Sequence, residues 1–508
     1  MKNIKKLFIS FFVLALAASC DDAHNITQDG EIGDGAVFQK VSDLDAYLKG
    51  AVYPNVSISS EILFTSVFTD EVGIGPNNGG QEVGLHRFQL NASTGYPAAI
   101  WANHYYVINR VNRLIKASTT IPVEASEEAT FNDIIGQAKV LRAFSYLQLL
   151  TYFSTDMSDD NALGVMLFDY VPAITEKLPR SKNADVFALI EADLSDAKAS
   201  ITQATPVGAH KFVSKTLIDA IYARMYLYRK NYPLAKQYAQ DVITGSGLVL
   251  APATPYVAGN FYAETTTNPY RRMWADTAGG EIILSLSRPV SGAWGDIAAG
   301  FFFNTTNLTG GAFLDMGRNL FNELNAVNGD IRRLAFVDPT SLIDPNYLTN
   351  PAYITSDAQI IDKYPGKGNT PLRNDLKVFR LSEMYFILAE CAVYDSQLNV
   401  AAGYIKNIRD ARNRLGAQPL PVYASATDAW ADILAERRKE LCFEGHRYVD
   451  IKRLGVLANK SIDRSITDDT NTSLPTTISN TDYRFTLPIP QDEISGNVQI
   501  REQQNPNY

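Results

Sequence analysis

"ERRKELCFEGHRYVDIKR", residues 436–453, places four carboxylates, six Lys or Arg side chains and a histidine in eighteen positions. Read as a helix, it stacks Glu436, Glu440 and Glu444 at four-residue spacing, with Arg447 three further on. Those separations bring side chains together on one helical face. Leu434, Leu441 and Tyr448 mark an apolar stripe beside them. Paired carboxylates can perform acid–base chemistry, but only where they face each other across a cleft that admits a substrate. Carboxylates strung along one helix, nearly balanced by bases, fit a different task. Long charged side chains cover apolar surface with their stems and tie helices together. The expectation is a structural framework of charge, with no catalytic residue.

The neighbouring sequence is built from helix pairs. "VFRLSEMYFILAECAVY" (378–394) aligns Leu381, Tyr385, Leu388 and Ala392, and "VAAGYIKNIRDARNRLG" (400–416) aligns Ala401, Ile405, Ile408 and Leu415. An earlier hairpin has the same form. "SKTLIDAIYARMYLYRK" (214–230) puts Leu217, Ile221, Met225 and Tyr228 on one face, and "PLAKQYAQDVI" (233–243) follows with Ala235, Ala239 and Val242. Pro233 opens that second helix and Gly245 closes it, each at the end where it is tolerated. Alanines at contact positions allow close helix packing. Residues 100–115, 133–153 and 184–201, the last preceded by Asn183 as a cap, are also helical in period. The predicted fold is mainly α, a tetratricopeptide-like bundle of helix pairs. Helix pairs occupy about 40–250 and 325–460, and an irregular tail runs over 461–508.

Two regions break this pattern. Residues 71–96 hold six glycines and "GPNNGG". Residues 251–310 hold nine aromatics, seven glycines and four prolines. Loops of this length in a compact protein carry function or are disordered, and aromatic content argues against disorder. The reading is a loop-rich, partly irregular ligand-facing insert over about 251–325.

Composition narrows the function. The chain has 508 residues, 46% of them hydrophobic, enough for a large core. A formal net charge of −9 gives no sign of a general nucleic-acid binder. Lys2, Lys5 and Lys6 precede an apolar-to-small run, Leu7 to Ala18, that ends in "LAASC". The run is too short to span a bilayer. Residues 1–19 are read as a lipoprotein signal peptide, with lipid carried by Cys20 on a mature chain of 20–508. Cys20, Cys391 and Cys442 give neither a disulfide framework nor a metal spacing, and His24, His104 and His210 form no ligand set. Cys391 and Cys442 look like small buried residues, and His446, beside Gly445, like a helix-end residue. No G-x-S-x-G, P-loop or H-E-x-x-H is present. No metal and no cofactor is expected.

Several segments in order carry a family resemblance. "GQAKVLRAFSYLQLLTYF", "RSKNADVFALIEADLSDA", "VFRLSEMYFILAECAVY", "IKNIRDARNRLG", "ILAERRKELCFEGHRYVDIKRLG", "FTLPIPQDEI" and the closing "QQNPNY" together resemble the SusD/RagB family of surface nutrient-binding lipoproteins. The resemblance runs from Cys20 to Tyr508 and thins between about 250 and 325. Where the family often has G-D-V-P-L this chain reads "DNALGVMLF", and the terminal N-P-G-Y reads "NPNY". The resemblance implies a non-enzymatic lid on a SusC-like TonB-dependent outer-membrane transporter. Such a lid captures an oligosaccharide, or in some members a peptide, at the cell surface. It also implies that Arg380, Glu383, Glu436, Arg437, Glu440, Glu444, Arg447 and Asp450 are framework charges. The alternatives are a peptide-binding RagB-type member and a tetratricopeptide-like scaffold without a small ligand. A glycosidase would need two carboxylates on one cleft, and the adjacent Asp70 and Glu71 do not supply that.

Sugars are held by aromatic faces and by amides and charges on their hydroxyls. The candidate ligand residues are therefore Asn77, Asn78, His86 and Tyr96 in the Gly-rich segment, and Tyr262, Trp274 and Trp294 in the aromatic insert. Trp101, Trp430 and the 301–303 Phe triplet are expected in the core.

Overall fold

A computed structural model of the chain describes residues 37–201, 210–258, 261, 267–289, 311–368 and 373–508. The signal peptide, Cys20, Tyr262, Trp294 and the 301–303 triplet lie outside the described residues.

The fold is mainly α. Helices α1 (Val41–Tyr47) and α2 (Ser59–Phe68) open it. Then come α3 (Gly95–Ser118), α4 (Glu128–Phe153) and α5 (Asn183–Ser200). From Gly136 to Phe153 almost every side chain of α4 is buried. A helix apolar on all sides belongs in the middle of a bundle, and α4 packs between α3 and α5. The predicted hairpin follows as α6 (Lys215–Tyr228) and α7 (Tyr232–Gly245). Ser214 and Asn231 cap these two helices by accepting from the amides of Leu217 and Leu234, which satisfies donors that a helix start leaves free.

Short helices in the next region include α8 (Pro269–Trp274), α9 (Arg318–Asn325) and α10 (Ile331–Phe336). The second half of the bundle is α11 (Leu381–Tyr394), α12 (Leu398–Arg412), α13 (Ala426–Leu441) and α14 (Arg447–Ala458). Helix α7 packs on α11, α11 on α12, and α13 on α14, so hairpins stack side by side. Ala235, Ala239, Ala401 and Ala402 are fully buried at these seams. No helix among the described residues is long and apolar enough to cross a membrane.

Among the described residues, three two-stranded antiparallel ribbons tie the chain together. Strand β1 (Val72–Ile74) pairs with β5 (Leu314–Met316), β2 (Leu163–Met166) with β3 (Arg180–Lys182), and β4 (Ile282–Leu286) with β6 (Leu376–Arg380).

Four sequence expectations are corrected. The stretch 436–453 is not one helix. Helix α13 stops at Leu441, and Phe443 (φ 61°) and Gly445 (φ 86°) take left-handed backbone before α14 begins at Arg447. Glu444 therefore lies in the connection and not on the helical stack. Residues 378–380 are strand, because β4 offers a partner that the sequence could not reveal. Helix α12 ends at Arg412, leaving Leu415 exposed. The insert at 251–325 contributes more core than expected: every residue of β4 and β5 is buried.

Candidate functional site

Arg380 sits where β6 becomes α11, and its side chain is only 1% exposed. Its Nη1 donates to Glu281 at 2.6 Å and to Glu440 at 2.8 Å, while Nε and Nη2 both reach Glu444 at 2.8 Å. Arg412 adds bonds from Nη2 to Glu281 and Glu440, each 2.8 Å. Arg332 lies 2.7 Å from Glu436 and 3.3 Å from Glu440. Lys363 Nζ donates to Glu444 at 2.7 Å and to the carbonyls of Glu440 and Cys442. Around this lattice, Arg224 grips Glu383 with two 2.6 Å bonds. Arg437 donates to Asp450 at 2.8 Å, and Arg447 holds Asp70.

The desolvation cost of buried charge is offset only where partners and geometry are complete, and here both oxygens of Glu440 accept from guanidinium groups. Burial alone would raise the Glu440 carboxyl, but Arg412 and Arg380 outweigh it and hold it well below the usual carboxylate range. Glu436 is likewise lowered against burial, by Lys439, Arg332 and Arg409. Carboxylates buried among cations and held ionised in this way have no proton to donate. His446, the residue before α14, is buried, and burial with Arg224 and Arg437 nearby keeps its ring neutral. Cys391 and Cys442 are buried free thiols. Trp430 is buried in the second core cluster, and Trp101 is buried as well.

Two candidate ligand residues belong to this interior. Trp274 is fully buried. Lys363 Nζ lies 4.4 Å from its ring centroid, and the Arg380 guanidinium 5.3 Å away. Trp274 is thus a roof over the charge lattice, held by cation–π attraction, and offers no face to a sugar. Its neighbour Tyr270 is also fully buried, beneath Arg412 at 4.5 Å. His86 is buried too. Its Nε2 faces the Val72 carbonyl at 3.3 Å and its Nδ1 faces Asp469 at 3.5 Å. Burial and Arg464 bring its pKa down to about 4. It pins β1 to the segment near 469 and does not face a ligand.

The remaining Gly-rich segment reaches the surface. Strand β1 brings it against the end of the aromatic insert: Asn77 N donates to the Ala312 carbonyl at 3.0 Å, and Asn78 Nδ2 to the Phe313 carbonyl at 2.8 Å. Asn78 Nδ2 also donates to Gln81 O, and Asn78 Oδ1 accepts from Gly80 N, so its amide shapes the turn. Asn77 is exposed on that turn. Beyond it lies a groove of about 560 Å³, where Glu82, Gln89, Asn91, Thr94 and Tyr96 provide polar groups and Gly80 and Gly84 bring bare backbone to the surface. Tyr96 is half-buried. Burial, with the Glu82 carboxylate beside its hydroxyl, raises the phenol far above its ordinary pKa, so it stays a neutral donor. A volume in this range suits a small ligand. Of the sequence candidates, the structure places Tyr96 in this groove. Glu82, Gln89, Asn91 and Thr94 were missed individually, although the run of glycines marked their segment.

Residues 340–508 match the model of the SusD family. Over nearly its whole length the chain is similar to SusD-like protein P2 of Formosa agariphila, at 25% identity across 99% of this chain and 100% of that one. A solved SusD superfamily protein from Bacteroides thetaiotaomicron superposes with a TM-score of 0.74 at 26% identity, covering 92% of this chain and 100% of that one. A SusD-like carbohydrate binding protein from Bacteroides vulgatus shares the fold, with a TM-score of 0.68 at 19% identity over 92% of this chain and 98% of that one.

Proposed function

We propose that the chain, whose residues 340–508 match the SusD family and which is similar to SusD-like proteins along nearly its whole length, captures oligosaccharides at the cell surface for a SusC-like TonB-dependent transporter, without catalysis. Lipid on Cys20 would hold it to the outer membrane. The observation that carries the reading is the groove beside the β1–β5 ribbon. It joins a half-buried tyrosine, a carboxylate and side-chain amides over glycine backbone, the mixture that holds sugar rings by stacking and by bonds to hydroxyls. The family likeness, and the shared fold of the SusD-like carbohydrate binding protein from Bacteroides vulgatus, support the same ligand class. The buried pairing of the framework carboxylates supports a binding role without acid–base chemistry.

The test is calorimetric. Residues 21–508 are titrated with plant, host and microbial oligosaccharides and, for comparison, mixed peptides. Saturable sugar binding that Tyr96→Ala and Glu82→Gln weaken supports the reading. Binding of peptides alone changes the ligand class, and no binding of either kind refutes capture by the isolated protein. Co-purification with the transporter and loss of membrane association on Cys20→Ala test the partner and the anchor.

A further inference from the structure

Helix α3 presents a second stripe. Tyr96 and Ala99 face the groove, whereas Trp101, Tyr105 and Asn109, spaced four apart, line a separate cleft of about 610 Å³. The cleft lies between α3, the loop 166–178 and the C-terminal helix α15 (Gln491–Gly496). Its inner wall is locked. Trp101 Nε1 donates to Glu493 at 3.2 Å, and the Trp101 ring packs 4.9 Å from those of Tyr105 and Phe153. Tyr105 stacks on Phe168 at 5.6 Å and donates its hydroxyl to the Met166 carbonyl. At the mouth Tyr106 is 49% exposed, with the Arg110 guanidinium 4.2 Å from its ring centroid.

The polar groups of the cleft are largely uncommitted to cations. Glu493 accepts from two neutral donors, Trp101 and Asn497. Glu176 accepts from the Tyr170 hydroxyl. Neither these nor Asp492 forms an ion pair among the described residues; Lys177 is the one base among the lining residues and Arg110 stands at the mouth, so three carboxylates face two bases. A preformed aromatic wall with carboxylates and an amide at its edge binds hydroxyl-rich rings, and an excess of negative charge repels anionic ones.

We propose that this cleft is a second saccharide site, selective for neutral over anionic sugars. It rests on the oligosaccharide-capture reading and adds a site on another face of α3. Nothing in its construction depends on the Tyr96 groove.

The experiment titrates the full protein with malto-, cello-, xylo-, manno- and galacto-tetraose and with tetragalacturonate, using wild type, Tyr106→Ala, Asn109→Ala and Tyr96→Ala. Tyr106 is exposed, so its loss leaves the fold intact, and circular dichroism checks this. The expected result is a neutral tetrasaccharide whose binding includes a site weakened about tenfold by Tyr106→Ala, the worth of one aromatic contact, and untouched by Tyr96→Ala. Crystals soaked in that sugar should show it against Tyr106. If neutral sugar binds, Tyr96→Ala abolishes all of it and soaked crystals leave the cleft empty, the second site is overturned while oligosaccharide capture stands. If tetragalacturonate fills the cleft more tightly than any neutral sugar, the selectivity is overturned. If wild type binds no sugar, the cleft proposal and the capture reading both fall.

Discussion

Arg447 clasps Asp70 with two parallel bonds, Nε to Oδ1 and Nη2 to Oδ2, each 2.8 Å long. The pair joins the approach to β1 with the first turn of α14. Asp70 also accepts from the Asp463 amide at 2.9 Å and lies 3.5 Å from Arg438. Burial alone would raise its carboxyl, but Arg438 and Arg447 hold it far below the usual range.

Asp70→Asn should therefore destabilise the protein by about 3–5 kcal/mol, because it leaves buried guanidinium charge without its partner. Urea denaturation measures the loss. Combining it with Arg447→Met should cost less than the sum of the single changes, since both remove one interaction.

Its neighbour Glu71 gives the opposite pH signature. Burial pushes the Glu71 carboxyl up to about 7, although the Ser66 hydroxyl donates to it at 2.7 Å. A carboxyl raised in the folded state binds a proton more tightly there than in the unfolded chain. Its stabilising contribution is complete below the unfolded pKa of about 4.3 and is lost as pH rises through about 7. Between pH 5 and pH 8 the wild type should lose roughly 2.5 kcal/mol relative to Glu71→Gln. Urea midpoints of both proteins across that range check it, and parallel curves would show that Glu71 does not titrate there.

Gly445 turns the chain between α13 and α14 at φ 86°. A Cβ built there meets its nearest neighbours at 3.7 Å, an ordinary contact, so the cost of Gly445→Ala is conformational. The expected loss is about 1–2 kcal/mol, read as a lower unfolding midpoint with no change in sugar binding.

Trp274→Ala should cost about 3–5 kcal/mol, as large buried aromatics do when truncated, and it also uncovers Lys363 and Arg380. Thermal unfolding measures the drop. A variant of unchanged stability with weakened sugar affinity would return Trp274 to the ligand surface.

The helix pairs were legible because their apolar spacing is local, and the framework was legible as charge. Its geometry was not. Glu440 meets Arg380, Arg412 and Arg332, which lie 60, 28 and 108 residues away, and no local pattern encodes such partners. The helical spacing of Glu436, Glu440 and Glu444 runs straight through a break that only Gly445 announces. Trp274 misled for a related reason. Its flanking glycines and prolines look like a loop, yet the ring is recruited by cations from β6 and from Lys363. Tyr96, at the end of the Gly-rich run, packs partly on the core beside Phe64 and turns the rest of its surface to the groove. Trp101, read as core, is buried but also forms the wall of a cleft, and a sequence does not show which edge of a ring remains open.

The lattice centred on Glu440 also sets an order of events. Asp70, Arg332 and Arg380 are synthesised before their counterparts at 440, 444 and 447 exist. Until those residues emerge, Arg380 has Glu281 and Arg332 has Asp330, but the lattice that joins them is incomplete. The expected consequence is that the two halves of the bundle close together only as the C-terminal helices arrive, in a late and cooperative step. A nascent chain halted before α13 is expected to remain open and susceptible to proteases.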